Sequence, residues 1–132
     1  MSSLTDTASA EQAYRAAARE RAEELRKQAR WRADPCAWAA ERGGIELWSK
    51  QREVLESVRS HRLTVVESCH GVGKTFDAAV ATAWWIDVHP PGSAKVVTTA
   101  PTGPQVKLLL WQEIRSLAAQ AGLPGRVLTT QW

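Results

Sequence analysis

No stretch of this chain approaches the roughly 18 consecutive apolar residues that a membrane-spanning helix requires. The first ten residues also lack the basic-then-apolar order of a secretory signal, so a chain that is neither secreted nor membrane-spanning is expected. Cysteine is scarce. Cys36 and Cys69 are the only two, and without CxxC or Cys/His spacing they suggest neither a disulfide framework nor a zinc site, in keeping with a reducing cytoplasm. A large excess of charge of one sign is also lacking: 17 basic against 14 acidic residues leave a net charge of +3, which permits a polyanionic partner without requiring one. The seven tryptophans recur at no fixed period, so no repeat architecture is indicated.

What is present is ordinary globular composition, 44% hydrophobic and 23% charged, in 132 residues, about one small domain. Residues 9–32 are rich in Ala, Glu and Arg with little to bury, which predicts a long solvated helix; its balanced charges, Glu20 and Glu24 opposed by Lys27 and Arg30, suit a solvated face better than a nucleic-acid arm. The pattern divides into a helical N-terminal extension, 1–33, and a second part, 34–132. Asp34-Pro35 starts a short helix carrying Trp38, and Gly43-Gly44 ends it. Val54, Leu55 and Val58 mark a helix over 47–59 with Trp48 and Gln51 in its first turn.

Beyond that point the pattern alternates. The β-branched run Leu63-Thr64-Val65-Val66 predicts a buried strand, followed by a loop and a helix over 75–88 that His89-Pro90-Pro91-Gly92 stops. A second strand over 95–99 is expected, then a helix over 105–121 with Leu108, Leu109, Trp111, Ile114, Leu117 and Ala118 as its buried stripe, and a third strand over 126–130. Helices between strands predict an α/β fold: an incomplete parallel sheet flanked by helices, of the P-loop NTPase type.

The sharpest motif is Ser68-Cys69-His70-Gly71-Val72-Gly73-Lys74-Thr75, which fits GxxxxGK[ST] with Ser in place of the first glycine. In such a loop, backbone N–H groups curl around a phosphate and the next helix presents its positive dipole end to the same anion. Lys74 is expected on the β and γ phosphates as the catalytic cation, and the Thr75 hydroxyl on Mg²⁺, a hard ion that prefers oxygen. A bare Gly-Lys-Thr at an ordinary helix start is the competing reading. Cys69 and His70 are read as loop filler rather than as redox or base groups.

Leu47-Trp48-Ser49-Lys50-Gln51, the Ser68–Thr75 loop, and Thr98-Thr99-Ala100-Pro101-Thr102 with Gln105 together resemble the large terminase subunits of tailed bacteriophages, over about residues 34–117. The resemblance implies an ATP hydrolase, using ATP and Mg²⁺, that drives double-stranded DNA into a procapsid in the bacterial host's cytoplasm. It implies a portal protein and a small terminase subunit as partners, and a homo-oligomeric ring. It also suggests Trp48 and Gln51 as an adenine-contacting pair, since an indole stacks on the base and an amide matches its edge; Trp48 as a core anchor is the alternative. For the segment 98–102 the resemblance implies coupling of nucleotide state to DNA contact, and Thr102 as a plain helix N-cap is an equal reading.

Hydrolysis also needs an apolar strand ending in Asp-Glu, and none is found. Trp84-Trp85-Ile86-Asp87 falls on a helix with Val88 where the second acid belongs, so Asp87 is read as a helix-end or surface residue. Cys69 stands where some terminases carry an arginine, and no nuclease-like acidic cluster follows. A fragment or early-terminated product is therefore expected, inactive alone, with a helicase-like ATPase or a non-enzymatic prophage remnant as alternatives.

Overall fold

A computed structural model describes residues 3–69, 71, 73–102, 104 and 106–125. His70, Val72, Gln105 and the third strand expected over 126–130 lie outside the described residues. The elements in chain order are α1 (Ser3–Ala33), α2 (Pro35–Glu41), α3 (Ser49–Ser60), α4 (Lys74–Asp87), a π-helical turn (Val106–Leu110) and α5 (Trp111–Gln120). The contacts divide the chain into two units, Met1–Arg30 and Trp31–Trp132.

The first unit is helix, solvated as its composition predicts. Tyr14 and Leu25 are exposed, and Glu11 pairs with Arg15 at 2.6 Å one turn apart. A pair this exposed contributes little to stability.

Among the described residues of the second unit, the regular structure is helical. Asp34 caps α2 by accepting the Ala37 N–H at 2.9 Å, and Pro35, which has no N–H to leave unpaired, follows it. Beyond α2, the chain crosses so close to Ala39 that a Cβ on Gly43 would stand 2.8 Å from its carbonyl oxygen. Trp38, Leu55, Ala79, Val80, Trp84 and Val88 then fill a core between α2, α3 and α4, with Ile114 and Leu117 of α5 completing it. Two buried indoles find acceptors: Trp84 Nε1 donates to the Trp31 carbonyl at 2.7 Å, and Trp38 Nε1 to Asp87 Oδ2 at 2.8 Å.

The expected parallel α/β sheet is overturned: among the described residues there is no strand. Segments 63–69 and 94–100 run without regular structure and form no ladder, and Leu63, Val65 and Val97 are 79%, 81% and 75% exposed. β-branched residues favour extended backbone, but a sheet also needs a neighbour to exchange N–H and C=O groups. These two runs do not pair, and the helices close the core among themselves.

The stripe expected over 105–121 is corrected too. Ile114 and Leu117 are buried, whereas Leu108, Leu109 and Trp111 are exposed. The turn at Val106–Leu110 is π-helical, so Leu108 and Leu109 depart from the 3.6-residue period on which the stripe was drawn.

Candidate functional site

An open cleft of about 340 Å³ lies between α3, the segment 64–68 and the start of α4, within the size range of small-molecule sites. Trp48, Glu53, Thr64, Ser68, Lys74 and Asp77 are among its walls. The loop that closes one end turns at Gly71, with φ of +84°, and at Gly73, with φ of +90°. Gly73 is also the N-cap of α4, and it provides no side-chain cap for the first N–H groups of that helix. Left-handed backbone at both positions is open to glycine and costly to other residues, which explains the spacing of the motif.

Lys74 folds back over this loop. Its Nζ donates to the Ser68 carbonyl at 2.6 Å and to the Cys69 carbonyl at 2.9 Å. The ammonium is thereby held at the head of the loop, beside the positive end of α4. Thr75, next in the helix, is exposed.

Trp48 and Gln51 both reach this neighbourhood, in different ways. Trp48 is 51% exposed and lines the cleft. Gln51 is buried and faces inward: its Oε1 accepts the Trp48 N–H at 3.3 Å, and its Nε2 lies 3.2 Å from where a Cβ on Gly73 would stand. The amide therefore braces the start of α3 against the start of α4. Ser68, Cys69, Gly71 and Gly73 thus lie in the loop and Lys74 and Thr75 in the first turn of α4, with Trp48 among the walls of the adjoining cleft. The 98–102 segment is not among the cleft walls.

Asp77 was missed by sequence reasoning. It lies one turn after Lys74, is buried, and lines the cleft, and its Oδ1 has no hydrogen-bond partner among the described residues. Burial pushes its carboxyl above the ordinary carboxylate range, and the adjacent Gln51 amide partly offsets this. The available signal was a carboxylate in the first turn of an otherwise apolar helix.

Asp87 ends α4, as expected, but its side chain is buried rather than on the surface: it accepts the Trp38 indole N–H and lies 3.4 Å from Arg42 Nε. This is a packing role. Cys36 is buried, and burial together with nearby Asp34 and Glu56 raises its thiol, partly opposed by Arg52, whereas Cys69 is exposed.

Among the described residues no group of three or more His, Cys, Asp or Glu side chains is placed to hold a metal ion. Thr75 presents one exposed hydroxyl, an oxygen donor of the kind that Mg²⁺ prefers. No helix among the described residues is long and apolar enough to cross a membrane. No family model, curated protein or solved structure matches the chain.

Proposed function

We propose that the second unit binds the triphosphate of ATP and belongs to a terminase-type motor ATPase that moves double-stranded DNA. The observation that carries the binding step is Lys74, held by the Ser68 and Cys69 carbonyls over a loop with two left-handed glycines at the uncapped start of α4. A phosphate entering there exchanges the lysine's two neutral acceptors for charged oxygens and meets the first N–H groups of the helix. Thr75 offers a hydroxyl to the accompanying Mg²⁺. Trp48, half exposed across the cleft, gives the base a face to stack on. The DNA, the portal protein, the small subunit, the ring and the host cytoplasm rest on the motif resemblance. Hydrolysis needs acids to hold the metal and orient water, so the role proposed for these residues is binding.

The test is titration of the purified chain with ATP and Mg²⁺, comparing wild type with Lys74→Ala. Charge-assisted contacts to phosphate are each worth about 1.5–3 kcal/mol, so affinity is expected to fall by roughly ten- to a hundred-fold. A second reading is that the loop is a structural remnant, favoured by the fact that Lys74 already satisfies loop carbonyls. Equal ATP affinity in the two proteins establishes that reading and defeats the first.

A further inference from the structure

Trp48 and Gln51 are an expected adenine-contacting pair, yet the structure separates them. Gln51 is 8% exposed and is not among the cleft walls, whereas Trp48 is. A side-chain amide has a carbonyl oxygen to accept with and an NH₂ group to donate with, and both ends of this one face the protein. Oε1 accepts the Trp48 backbone N–H at 3.3 Å, which ties the amide to the start of α3. Nε2 lies against α4, where a Cβ on Gly73 would stand 3.2 Å from it. One turn further along α4, burial raises the Asp77 carboxyl and the neighbouring Gln51 amide opposes that rise.

Gly73 is where the loop becomes a helix. It takes φ of +90°, it is the N-cap of α4, and its carbonyl accepts the Asp77 N–H at 2.9 Å, which closes the first turn. Lys74 follows directly, so the direction in which α4 leaves Gly73 sets where the ammonium and the first N–H groups of the helix stand. An amide seated against Gly73 and Asp77 and tied to α3 holds that direction. A loop held before its ligand arrives loses less freedom on binding, so a brace of this kind adds affinity without touching the ligand.

We infer that Gln51 is the positioning residue of the phosphate loop and not a reader of adenine: by bracing the N-cap of α4 against α3, it adds affinity for the phosphate chain and none for the base. The inference rests on the triphosphate-binding reading of Lys74. The amide cannot serve both roles at once, since an adenine edge would need the same oxygen and the same hydrogens that face Trp48, Gly73 and Asp77.

The experiment uses the whole isotope-labelled chain as wild type, Gln51→Met, Gln51→Ala and Lys74→Ala. Methionine keeps the length of the side chain and removes both hydrogen-bonding ends. Amide hydrogen exchange is followed by NMR without ligand, and affinities are measured for ATP and for inorganic tripolyphosphate, which has no base, each with Mg²⁺. Three amides report position: Asp77 N–H on the Gly73 carbonyl; Arg52 N–H, 3.1 Å from the Trp48 carbonyl in the first turn of α3; and Val88 N–H, 3.0 Å from the Trp84 carbonyl at the far end of α4. In Gln51→Met, Asp77 N–H is expected to exchange about two- to ten-fold faster than in wild type, the value of one hydrogen bond, with Val88 N–H unchanged. Affinities for ATP and tripolyphosphate are expected to fall together by a similar factor. Gln51→Ala is expected to show the same pattern and is read alone if Gln51→Met does not fold. If neither folds, wild type decides: the Gln51 side-chain NH₂ resonances are expected to move alike with the two ligands, and movement with ATP alone overturns the inference.

A loss confined to ATP, with tripolyphosphate bound as before, makes Gln51 a reader of the base and overturns the inference, as does unchanged affinity for both ligands. Faster exchange at Arg52 without a change at Asp77 makes the amide a cap of α3 only, and equal acceleration at all three amides is general loosening; either result overturns it too. If Lys74→Ala still weakens tripolyphosphate binding in those cases, the triphosphate reading stands and only the role of Gln51 falls. Tripolyphosphate binding indifferent to Lys74 removes both.

Discussion

Replacing Trp38 with Phe tests the most heavily tied point of the core. Trp38 is fully buried, its indole N–H reaches Asp87 Oδ2 at 2.8 Å, and Arg42, at 3.4 Å, lies near Asp87 without making a hydrogen bond through Nε. Phe removes the donor and leaves a buried carboxylate with an ion pair alone. Loss of a hydrogen bond to a charged group costs about 1.5–3 kcal/mol, and the smaller ring adds roughly 1 kcal/mol of lost packing. For a unit of this size that total corresponds to a fall in Tm of roughly 10–20 °C. Thermal unfolding followed by circular dichroism reads the shift directly. Repeating the substitution in an Asp87→Ala background isolates the pair, and the effect is expected to shrink by about 1–2 kcal/mol. A drop of less than about 3 °C, or an effect equally large without Asp87, refutes the assignment of Asp87 to packing.

Asp77 gives a pH-dependent expectation. Its carboxyl is raised in the folded chain, so the folded state binds the proton more tightly than the unfolded state, and the residue's cost to stability appears as pH rises. Asp77→Asn should therefore gain Tm over wild type as pH climbs from the ordinary aspartate value of 3.8 through the raised folded value, and hold that gain above it. A gain that grows toward low pH contradicts the burial argument. The two cysteines should separate in thiol labelling: exposed Cys69 reacts promptly, buried Cys36 with its raised thiol reacts slowly, and ATP slows Cys69 if phosphate seats on its loop. Two equally fast thiols, or an ATP effect confined to Cys36, count against the loop assignment.

The helices were legible because their signals are local. Asp34-Pro35 with Gly43-Gly44 bounded α2, and the apolar period placed α3 and α4 within two residues of their observed limits. The turn before α4 was legible for the same reason: glycine spacing reports backbone conformation, and Gly71 and Gly73 do take positive φ. The sheet was not legible, because a β-branched run states a conformational preference but cannot state whether a partner strand lies beside it.

Side-chain direction was also out of reach of the sequence. Gln51 and Trp48 occupy the same first turn of α3, yet one is buried against Gly73 and the other opens onto the cleft, since which face of a helix is covered depends on the neighbouring helix. Asp77 and Asp87 make the point within α4. By sequence each is one carboxylate on an apolar helix; folding gives Asp87 a tryptophan donor 49 residues away and leaves Asp77 with an oxygen that has none. Local spacing determined where the helices and the loop fall. Tertiary packing alone decided which polar groups are satisfied, because donors for a buried acid come from segments distant in the chain.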